Sequence, residues 1–172
     1  KNMISSYTDK HAILVDKRVQ SFKQFTNKHI KEVEFFVNQY DIPKGLVEQY
    51  DAFIVGSDQV WNPYFRMNSP IDFLTFAPKN KRISYAASFG ISKLPQEYVE
   101  DYKLRLSEMA HISVRENVGA KIIKDLTGRE VPVLLDPTMM LNKEKWLSIS
   151  KEASNKPDRP YLLTYFLGGI SP

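Results

Sequence analysis

The stretch Y-D-A-F-I-V-G-S-D-Q-V-W-N-P, from Tyr50 to Pro63, is the most informative part of the 172-residue chain. Its residues Ala52 to Val55 are apolar or favour strands, and they run directly into the polar turn Gly-Ser-Asp-Gln. This pattern predicts a buried strand that ends where the backbone can approach a ligand. Because open α/β sheets bind ligands at such strand ends, the turn is the first candidate for a functional site.

The composition is typical of a globular protein with one core of ordinary size. Hydrophobic residues make up 42% and charged residues 26% of the chain, with only 7 glycines and 10 prolines, which argues against disorder and fibrous repeats. The net charge of +4 allows an anionic ligand without requiring one. The absence of cysteine excludes disulfides and thiol nucleophiles from this chain.

The distribution of apolar residues and the first residues of the chain both bear on localisation. The sequence has no apolar run of membrane-spanning length, and its first ten residues lack the apolar core of a secretory signal. We therefore expect a cytoplasmic protein without a transmembrane segment. The first residue is Lys1 instead of methionine, so we expect the numbering to begin inside a longer gene product.

Strand and helix patterns alternate along the chain. An amphipathic helix is predicted between His11 and Lys31, where apolar residues recur in steps of three and four. Further strands are predicted at 82–87, 111–114, 131–135 and 161–167, and further helices begin near Leu94, Asn117 and Asn142. This alternation favours parallel strands with crossover connections. The predicted fold class is α/β, with a Rossmann-like, doubly wound and mainly parallel sheet.

Two of the helices have apolar stripes that predict their buried sides. The helix after Leu94 would bury Tyr98, Tyr102, Leu106 and Met109. The helix that begins near Asn117, the plausible cap, would bury Val118, Ile122 and Leu126 and stop at Gly128.

The domain organisation follows from a change in composition after residue 150. Residues 151–160, K-E-A-S-N-K-P-D-R-P, are charged, contain two prolines and lack periodicity, which is typical of a linker. We expect a Rossmann-like domain at 1–150 and the start of a second α/β domain at 161–172. A strand followed by Gly168-Gly169 normally leads into a helix, which is absent here, so we expect this second unit to be truncated.

Polar residues follow four of the predicted strands. If the sheet is parallel, they gather at one edge and form a candidate binding site. The set comprises Gly56, Ser57, Asp58 and Gln59; Ser88 and Gly90; Arg115 and Glu116; and Asp136 and Thr138. Short polar loops also follow strands for reasons of turn formation and capping, so a single cluster carries little weight.

Arg115 is the strongest individual candidate. It lies between a buried strand and the start of a helix, where a guanidinium can hold a phosphate or carboxylate at two points. A salt bridge with Glu116 or Asp136 is the alternative. The turn at Gly56 to Asp58 can present backbone N–H groups and a hydroxyl to an anion.

Asp58, Trp61 and Asn62 each have a functional and a structural interpretation. Asp58 can act as the general base for a sugar hydroxyl or as a turn cap. Trp61 and Asn62 can form a stacking and hydrogen-bonding surface for a sugar ring, but an aromatic residue beside a proline is more often a plug at the end of a sheet.

Several common functional patterns are absent from the sequence. It contains no His-Glu-x-x-His and no Asp-x-Asp motif, so we expect no metal centre and no cofactor. The dinucleotide fingerprint Gly-x-Gly-x-x-Gly is also missing. The basic residues are dispersed, with Lys79 to Arg82 the only tight group, which argues against nucleic-acid binding.

Four blocks of sequence resemble the polysaccharide pyruvyl transferase family and follow that family's order. They are the turn at Tyr50 to Pro63, Y-A-A-S-F-G at Tyr85 to Gly90, I-S-V-R-E at Ile112 to Glu116 and L-D-P-T-M-M at Leu135 to Met140. The resemblance implies a bacterial enzyme that moves a pyruvyl group from phosphoenolpyruvate to two hydroxyls of a cell-wall or capsular glycan, which forms a ketal and releases phosphate.

The resemblance also implies two Rossmann-like halves, as in GT-B-like transferases, with the site in the cleft between them. This chain then represents most of the first half. The family's opening strand and its Asn-Tyr-Gly turn are not seen, and the histidine and arginine residues of the second half cannot be located. We therefore expect the chain as printed to be inactive alone, and the full protein to work close to membrane-linked glycan assembly.

Two other function classes stay open. Glycosyltransferases that use a nucleotide-sugar share the architecture of two Rossmann-like halves, and some need no metal. A non-catalytic α/β domain that binds an anion or a glycan is the second alternative. A preference for phosphoenolpyruvate would separate the first interpretation from both.

Overall fold

The computed structural model describes residues 2–33, 36–151 and 156–164, with side chains described from Asp16 onward. The chain divides into two compact units, Lys1–Leu46 and Val47–Pro172. The domain bounds inferred from the sequence stay a prediction.

The first unit contains one long helix, α1, at Asn2–His29. It covers the helix expected between His11 and Lys31 up to His29, and it begins nine residues earlier. Lys28 and His29 lie in its last turn, where positive charge interacts favourably with the helix dipole. The apolar side chains of Val19, Phe22 and Phe25 are all exposed by 40% or more, so this stripe is open to solvent.

The second unit is built around a small parallel sheet. Strand β1, Phe53–Val55, pairs in parallel with β2, Arg82–Ser84, with Ile54 opposite Ile83. Parallel pairing then continues as single bridges between Ile83 and His111, Ala87 and Val114, and Val114 and Val133. The parallel arrangement is therefore confirmed. The prediction of full strands at 82–87, 111–114 and 131–135 is wrong, because these segments contribute only a short strand and isolated bridges.

Two buried serines lie where the regular pairing is interrupted after β2. The Ser113 hydroxyl donates to the Ser84 carbonyl at 3.0 Å, and the Ser84 hydroxyl donates to the Ser113 carbonyl at 3.1 Å. The Ala86 amide donates to Ser113 Oγ instead of to a backbone carbonyl, and Ala86 has a φ of +46°. Both carbonyls also accept from backbone amides, that of Ser84 from Ser113 at 3.2 Å and that of Ser113 from Ala87 at 3.1 Å. Only the Ala86 amide is diverted to a side chain, and the backbone pairing shifts by one residue there.

Four further α-helices follow among the described residues of the second unit. They are α2 at Pro63–Arg66, α3 at Val99–Ser107, α4 at Asn117–Thr127 and α5 at Lys143–Ile149. The short helix predicted after Asn142 is confirmed as α5, which Asn142 caps by accepting from the Lys145 amide. The stripe predicted for α3 is confirmed for Tyr102, Leu106 and Met109, which are buried, whereas Tyr98 is half-buried and lies in the 3-10 turn before the helix.

The prediction for α4 was correct at its end and wrong at its start. The helix ends at Gly128, whose φ of +74° gives a left-handed cap that glycine adopts readily. Its N-cap is Glu116 instead of Asn117, and Val118 is 42% exposed instead of buried. Ile122 and Ile123 supply the buried side together with Gly119, and Leu126, predicted to be buried, is half-buried.

The end of the chain was predicted to hold a linker and a fifth strand. Residues 152–155 of the linker and 165–172 of the second domain lie outside the described residues. Residues 161–164, the described part of the predicted strand, have no regular secondary structure.

An aromatic cluster forms the core beneath the candidate site. Trp61 stacks on Phe73 with ring planes 7° apart, and Phe73 meets Tyr102 edge to face. All three are at most 1% exposed, and Phe89 packs against both Trp61 and Tyr102. In the part of the chain that the structure describes, no helix has the length and apolar character needed to cross a bilayer.

Candidate functional site

The loops that follow the parallel segments are joined by backbone hydrogen bonds. The Tyr85 amide donates to the Val55 carbonyl and the Ser88 amide to the Ser57 carbonyl, both at 2.9 Å. The Arg115 amide donates to the Ala87 carbonyl at 3.2 Å. Parallel pairing therefore carries the loop after β1, the loop after β2 and the turn at Arg115 to one edge of the sheet.

Glycine is required where the first loop approaches the second. Gly56 has a φ of +152°, and a Cβ added there would overlap the backbone carbonyl oxygen of Tyr85. No other residue type fits this position without displacing the backbone. The glycine thus allows the Ser57–Asp58 turn to lie directly against the loop after β2.

The Arg115 guanidinium lies between two carboxylates from different loops. Its Nη1 is 3.1 Å from Asp136 Oδ2, and its Nη2 is 3.0 Å from Asp58 Oδ1. Its Nε is 4.0 Å from Glu116 Oε2, which is too far for a hydrogen bond. Burial lowers the pKa of Arg115, but the hydrogen bonds to Asp58 and Asp136 together outweigh it and raise the pKa, so Arg115 stays a cation.

Asp136 is the most firmly held carboxylate of this group. The Ser57 hydroxyl donates to its Oδ2 at 2.6 Å, and the Thr138 amide and hydroxyl donate to its Oδ1 at 3.0 and 2.8 Å. The pKa of Asp136 lies well below its ordinary value of 3.8. The largest cause is the bond from Ser57, followed by the bonds from Thr138 and the one from Arg115. Asp136 therefore fixes Arg115 and Ser57 relative to each other.

The lowered pKa of Asp136 predicts a contribution to stability that depends on pH. An ionised Asp136 stabilises the fold above pH 3.8, the ordinary pKa, and this contribution is lost as the pH falls through the lower folded value. In thermal unfolding, the midpoint difference between the native protein and the Asp136→Asn variant should be constant from about pH 7 to 5 and shrink below about pH 4. A difference that is independent of pH down to about pH 2 would contradict the assignment. The Thr138→Ala variant loses only the hydroxyl bond to Asp136. At about pH 7 its unfolding midpoint should therefore lie between those of the native protein and the Asp136→Asn variant.

Glu116 supports the loop after β2. Its Oε1 accepts from the Phe89 amide at 2.8 Å and from the Ser88 hydroxyl at 3.1 Å. The Ser88 hydroxyl also accepts from the Gly90 amide at 3.2 Å. Glu116 and the buried Ser88 thus hold the loop in shape, and their oxygens are engaged within the protein.

The structure separates the predicted site residues into two groups. Ser57, Asp58, Arg115, Glu116 and Asp136 lie together at the sheet edge through the contacts given above. The interpretation of Trp61 as a sugar-stacking surface disagrees with the structure, because its ring is fully buried and its Nε1 donates to the Asp72 carbonyl. Its burial agrees with the structural interpretation, an aromatic plug at the end of the sheet.

Asn62 and Gln59 have structural partners within the loop after β1. Asn62 is 4% exposed and caps α2 by accepting from the Tyr64 amide, while its Nδ2 donates to Gln59 Oε1 at 2.7 Å. The Gln59 side chain lies directly over Gly90, where a Cβ would overlap it. Both side chains thus serve to shape the loop.

Two parts of the arrangement were missed by the sequence interpretation. The pairing of Asp58 with Arg115 joins residues that are 57 positions apart, and Asp58 was considered only as a base or a cap. Thr138 was placed at the edge without a role, although Asp-Pro-Thr is a recognisable signal for a carboxylate that accepts from the residue two positions later. In the residues described, no three histidine or acidic side chains are grouped so as to hold a metal ion.

A family model described as polysaccharide pyruvyl transferase matches residues 2–169, nearly the whole chain. The chain belongs to the polysaccharide pyruvyl transferase family. Searches of curated proteins and of solved structures gave no match. Membership indicates polysaccharide pyruvyl transferase activity in general, that is, a transferase with a polysaccharide acceptor. In this member of the family, the four blocks that carry the resemblance all contribute residues to the edge where Arg115 lies.

Proposed function

We propose that this pyruvyl transferase moves the pyruvyl unit of phosphoenolpyruvate onto two hydroxyls of a sugar in a bacterial cell-envelope polysaccharide. The two hydroxyl oxygens form bonds to the carbon that carries phosphate, and the bond from that carbon to the phosphate oxygen breaks. One hydroxyl proton ends on the methylene carbon, which becomes a methyl group, and the other leaves with the phosphate. The product is a ketal that keeps the donor's carboxylate.

The observation that carries this proposal is the half-buried guanidinium of Arg115 at the edge where the family's motif blocks meet. Its side chain is 28% exposed, and an ion pair of 3.1 Å with Asp136 holds it in place. A cation that is oriented before the ligand arrives can hold one of the donor's two anionic groups without first losing side-chain freedom. Arg115 is therefore the proposed anchor for phosphoenolpyruvate.

The remaining residues of the edge have proposed roles around that anchor. Asp58 has a carboxylate that is 80% exposed, and it is the proposed general base for a sugar hydroxyl. Gly56 and Ser57 contribute backbone and hydroxyl contacts to the donor or the acceptor. Gln59, Asn62, Ser88, Glu116 and Asp136 shape and support this surface.

The proposed architecture is the first Rossmann-like half of a two-domain, GT-B-like transferase. Support comes from the parallel pairing and from the gathering of the following loops at one edge. We propose that the enzyme is cytoplasmic and works beside membrane-linked glycan assembly, with the first domain at 1–150, a linker at 151–160 and a second domain from 161.

The structure gives a reason to disfavour a nucleic-acid-binding module. Lys79, Lys81 and Arg82, the cations of the tight basic group, are engaged within the fold. Lys79 pairs with Glu108 at 2.9 Å, Lys81 donates to the carbonyls of Val47 and Tyr50, and Arg82 is buried against Glu108 and two carbonyls. Lys81 and Arg82 are therefore poorly placed to contact phosphates in a nucleic acid, which leaves Lys79, 68% exposed, as the accessible cation of this group.

A thermal-shift series on the intact gene product tests the proposal. At a concentration one hundred times its Kd, phosphoenolpyruvate should stabilise the folded state by about 2.7 kcal/mol and raise the unfolding midpoint by roughly 5–10 °C. A nucleotide-sugar and an oligonucleotide, tested in parallel, should have no effect. Phosphate release with phosphoenolpyruvate and a glycan acceptor should follow. A midpoint raised by the nucleotide-sugar alone would assign the protein to the glycosyltransferases.

A further inference from the structure

The two carboxylates that contact Arg115 differ in how firmly they are held. Asp136 accepts three further hydrogen bonds, from Ser57 and Thr138, and its side chain is 24% exposed. Asp58 is 80% exposed, and Arg115 Nη2 is its side-chain partner among the described residues. An exposed ion pair of this kind contributes little to stability, so Asp58 can leave Arg115 at little cost whereas Asp136 cannot.

The departure of Asp58 would free one particular edge of the guanidinium. Nη1 is engaged by Asp136, while Nε makes no hydrogen bond within the described residues. Without Asp58, the adjacent Nε and Nη2 groups present two N–H bonds side by side. Elsewhere in this protein Arg66 uses the same pair of atoms to hold Asp72, with both distances 2.9 Å. That edge matches the two oxygens of a carboxylate or phosphate.

We propose that Asp58 is a displaceable internal anion that determines what binds to Arg115. The carboxylate of Asp58 covers Nη2, and an incoming anionic group takes its place on the Nε–Nη2 edge while Asp136 keeps Nη1. A neutral sugar cannot displace Asp58, because it gives the guanidinium no compensating charge. Asp58 therefore selects for an anion at this position, and its carboxylate is released toward the acceptor only after that anion has bound.

This inference rests on the proposed function in so far as the anion is phosphoenolpyruvate, and its test uses inorganic phosphate as a second probe. The Asp58→Asn variant keeps the size of the side chain and removes its charge. It should bind phosphoenolpyruvate about two- to fivefold more tightly than the native protein, by calorimetry on the intact gene product. The Asp136→Asn variant should bind it at least about tenfold more weakly, because Arg115 loses its support.

Two controls separate displacement from a general change in charge. Asp125→Asn removes one exposed negative charge from α4, where Asp125 pairs with Lys121, and should leave the affinity unchanged. In an Arg115→Lys background the Nε–Nη2 edge is gone, so Asp58→Asn should give no comparable gain. An equal gain in that background would overturn the proposal, since the effect would then be long-range electrostatics.

The outcomes for the two probes distinguish this inference from the proposed function. If phosphoenolpyruvate binds the native protein and Asp58→Asn leaves binding unchanged or weaker, displacement is wrong and the proposed function stands. If phosphoenolpyruvate is ignored but phosphate binds more tightly to Asp58→Asn, the proposed function is wrong and displacement stands. Absence of binding for both probes in every variant would overturn both.

Discussion

Replacement of Arg115 by alanine should weaken phosphoenolpyruvate binding by at least about thirtyfold, equivalent to a loss of about 2 kcal/mol or more. The variant loses the only proposed donor anchor and leaves Asp58, Glu116 and Asp136 as uncompensated negative charges near the donor. Calorimetric titration of the intact gene product measures the affinity. Phosphate release with donor and glycan should fall in proportion, because donor binding precedes transfer.

The Arg115 variant should still fold. Its pair with Asp58 lies at the surface but its pair with Asp136 is partly buried, so the free energy of unfolding should fall by about 1–3 kcal/mol, which leaves the domain folded. Lys121→Ala is the matched control, since it removes one cation that is 72% exposed and paired with Asp125 on α4. It should bind the donor normally. Full donor affinity in Arg115→Ala would remove the basis of the proposed site.

Trp61→Ala should destabilise the protein by about 3–5 kcal/mol. The indole is fully buried, stacks on Phe73 and packs against Phe89, and its Nε1 donates to the Asp72 carbonyl at 2.8 Å. Its removal leaves a cavity in the centre of the aromatic cluster and an unpaired buried carbonyl. Denaturant unfolding followed by circular dichroism gives the free energy, and a loss below about 1 kcal/mol would contradict this account of the core.

Two further tryptophan variants show whether burial is the cause. Trp61→Phe keeps an aromatic ring against Phe73 but loses the hydrogen bond, so its cost should be clearly smaller than that of the alanine variant. Trp146→Ala removes the other tryptophan, which is 39% exposed on α5 and donates to the Thr138 carbonyl. It should cost less than Trp61→Ala, because less apolar surface returns to water.

The α/β character and the parallel pairing could be predicted because they depend on local patterns. Apolar runs followed by polar turns mark β1 and β2, and the stripe of Tyr102, Leu106 and Met109 marks α3. Gly128 marks the end of α4 because a left-handed cap favours glycine. These features involve residues that are close in sequence, where periodicity and turn chemistry carry the information.

The short extent of the strands could not be predicted from those patterns. Ser84 and Ser113 are ordinary residues in a strand sequence, and nothing local indicates that their hydroxyls exchange hydrogen bonds with each other's backbone. The diversion of the Ala86 amide to Ser113 Oγ appears only when the two segments lie side by side. Val118 was misplaced because the side of α4 that faces the core is decided by packing, with Gly119 against Phe89 and with Ile122 and Ile123 buried.

The sequence by itself determined the family, the set of turns that meet at one sheet edge and the presence of an arginine among them. Only the tertiary structure decided what each of those residues does. In the folded protein Trp61 is buried and Glu116 supports the loop after β2. Arg115 lies between a firmly held Asp136 and an exposed Asp58. The physical reason is distance: the strength of a charge pair depends on separation and burial in space, and these follow from contacts between residues far apart in the chain.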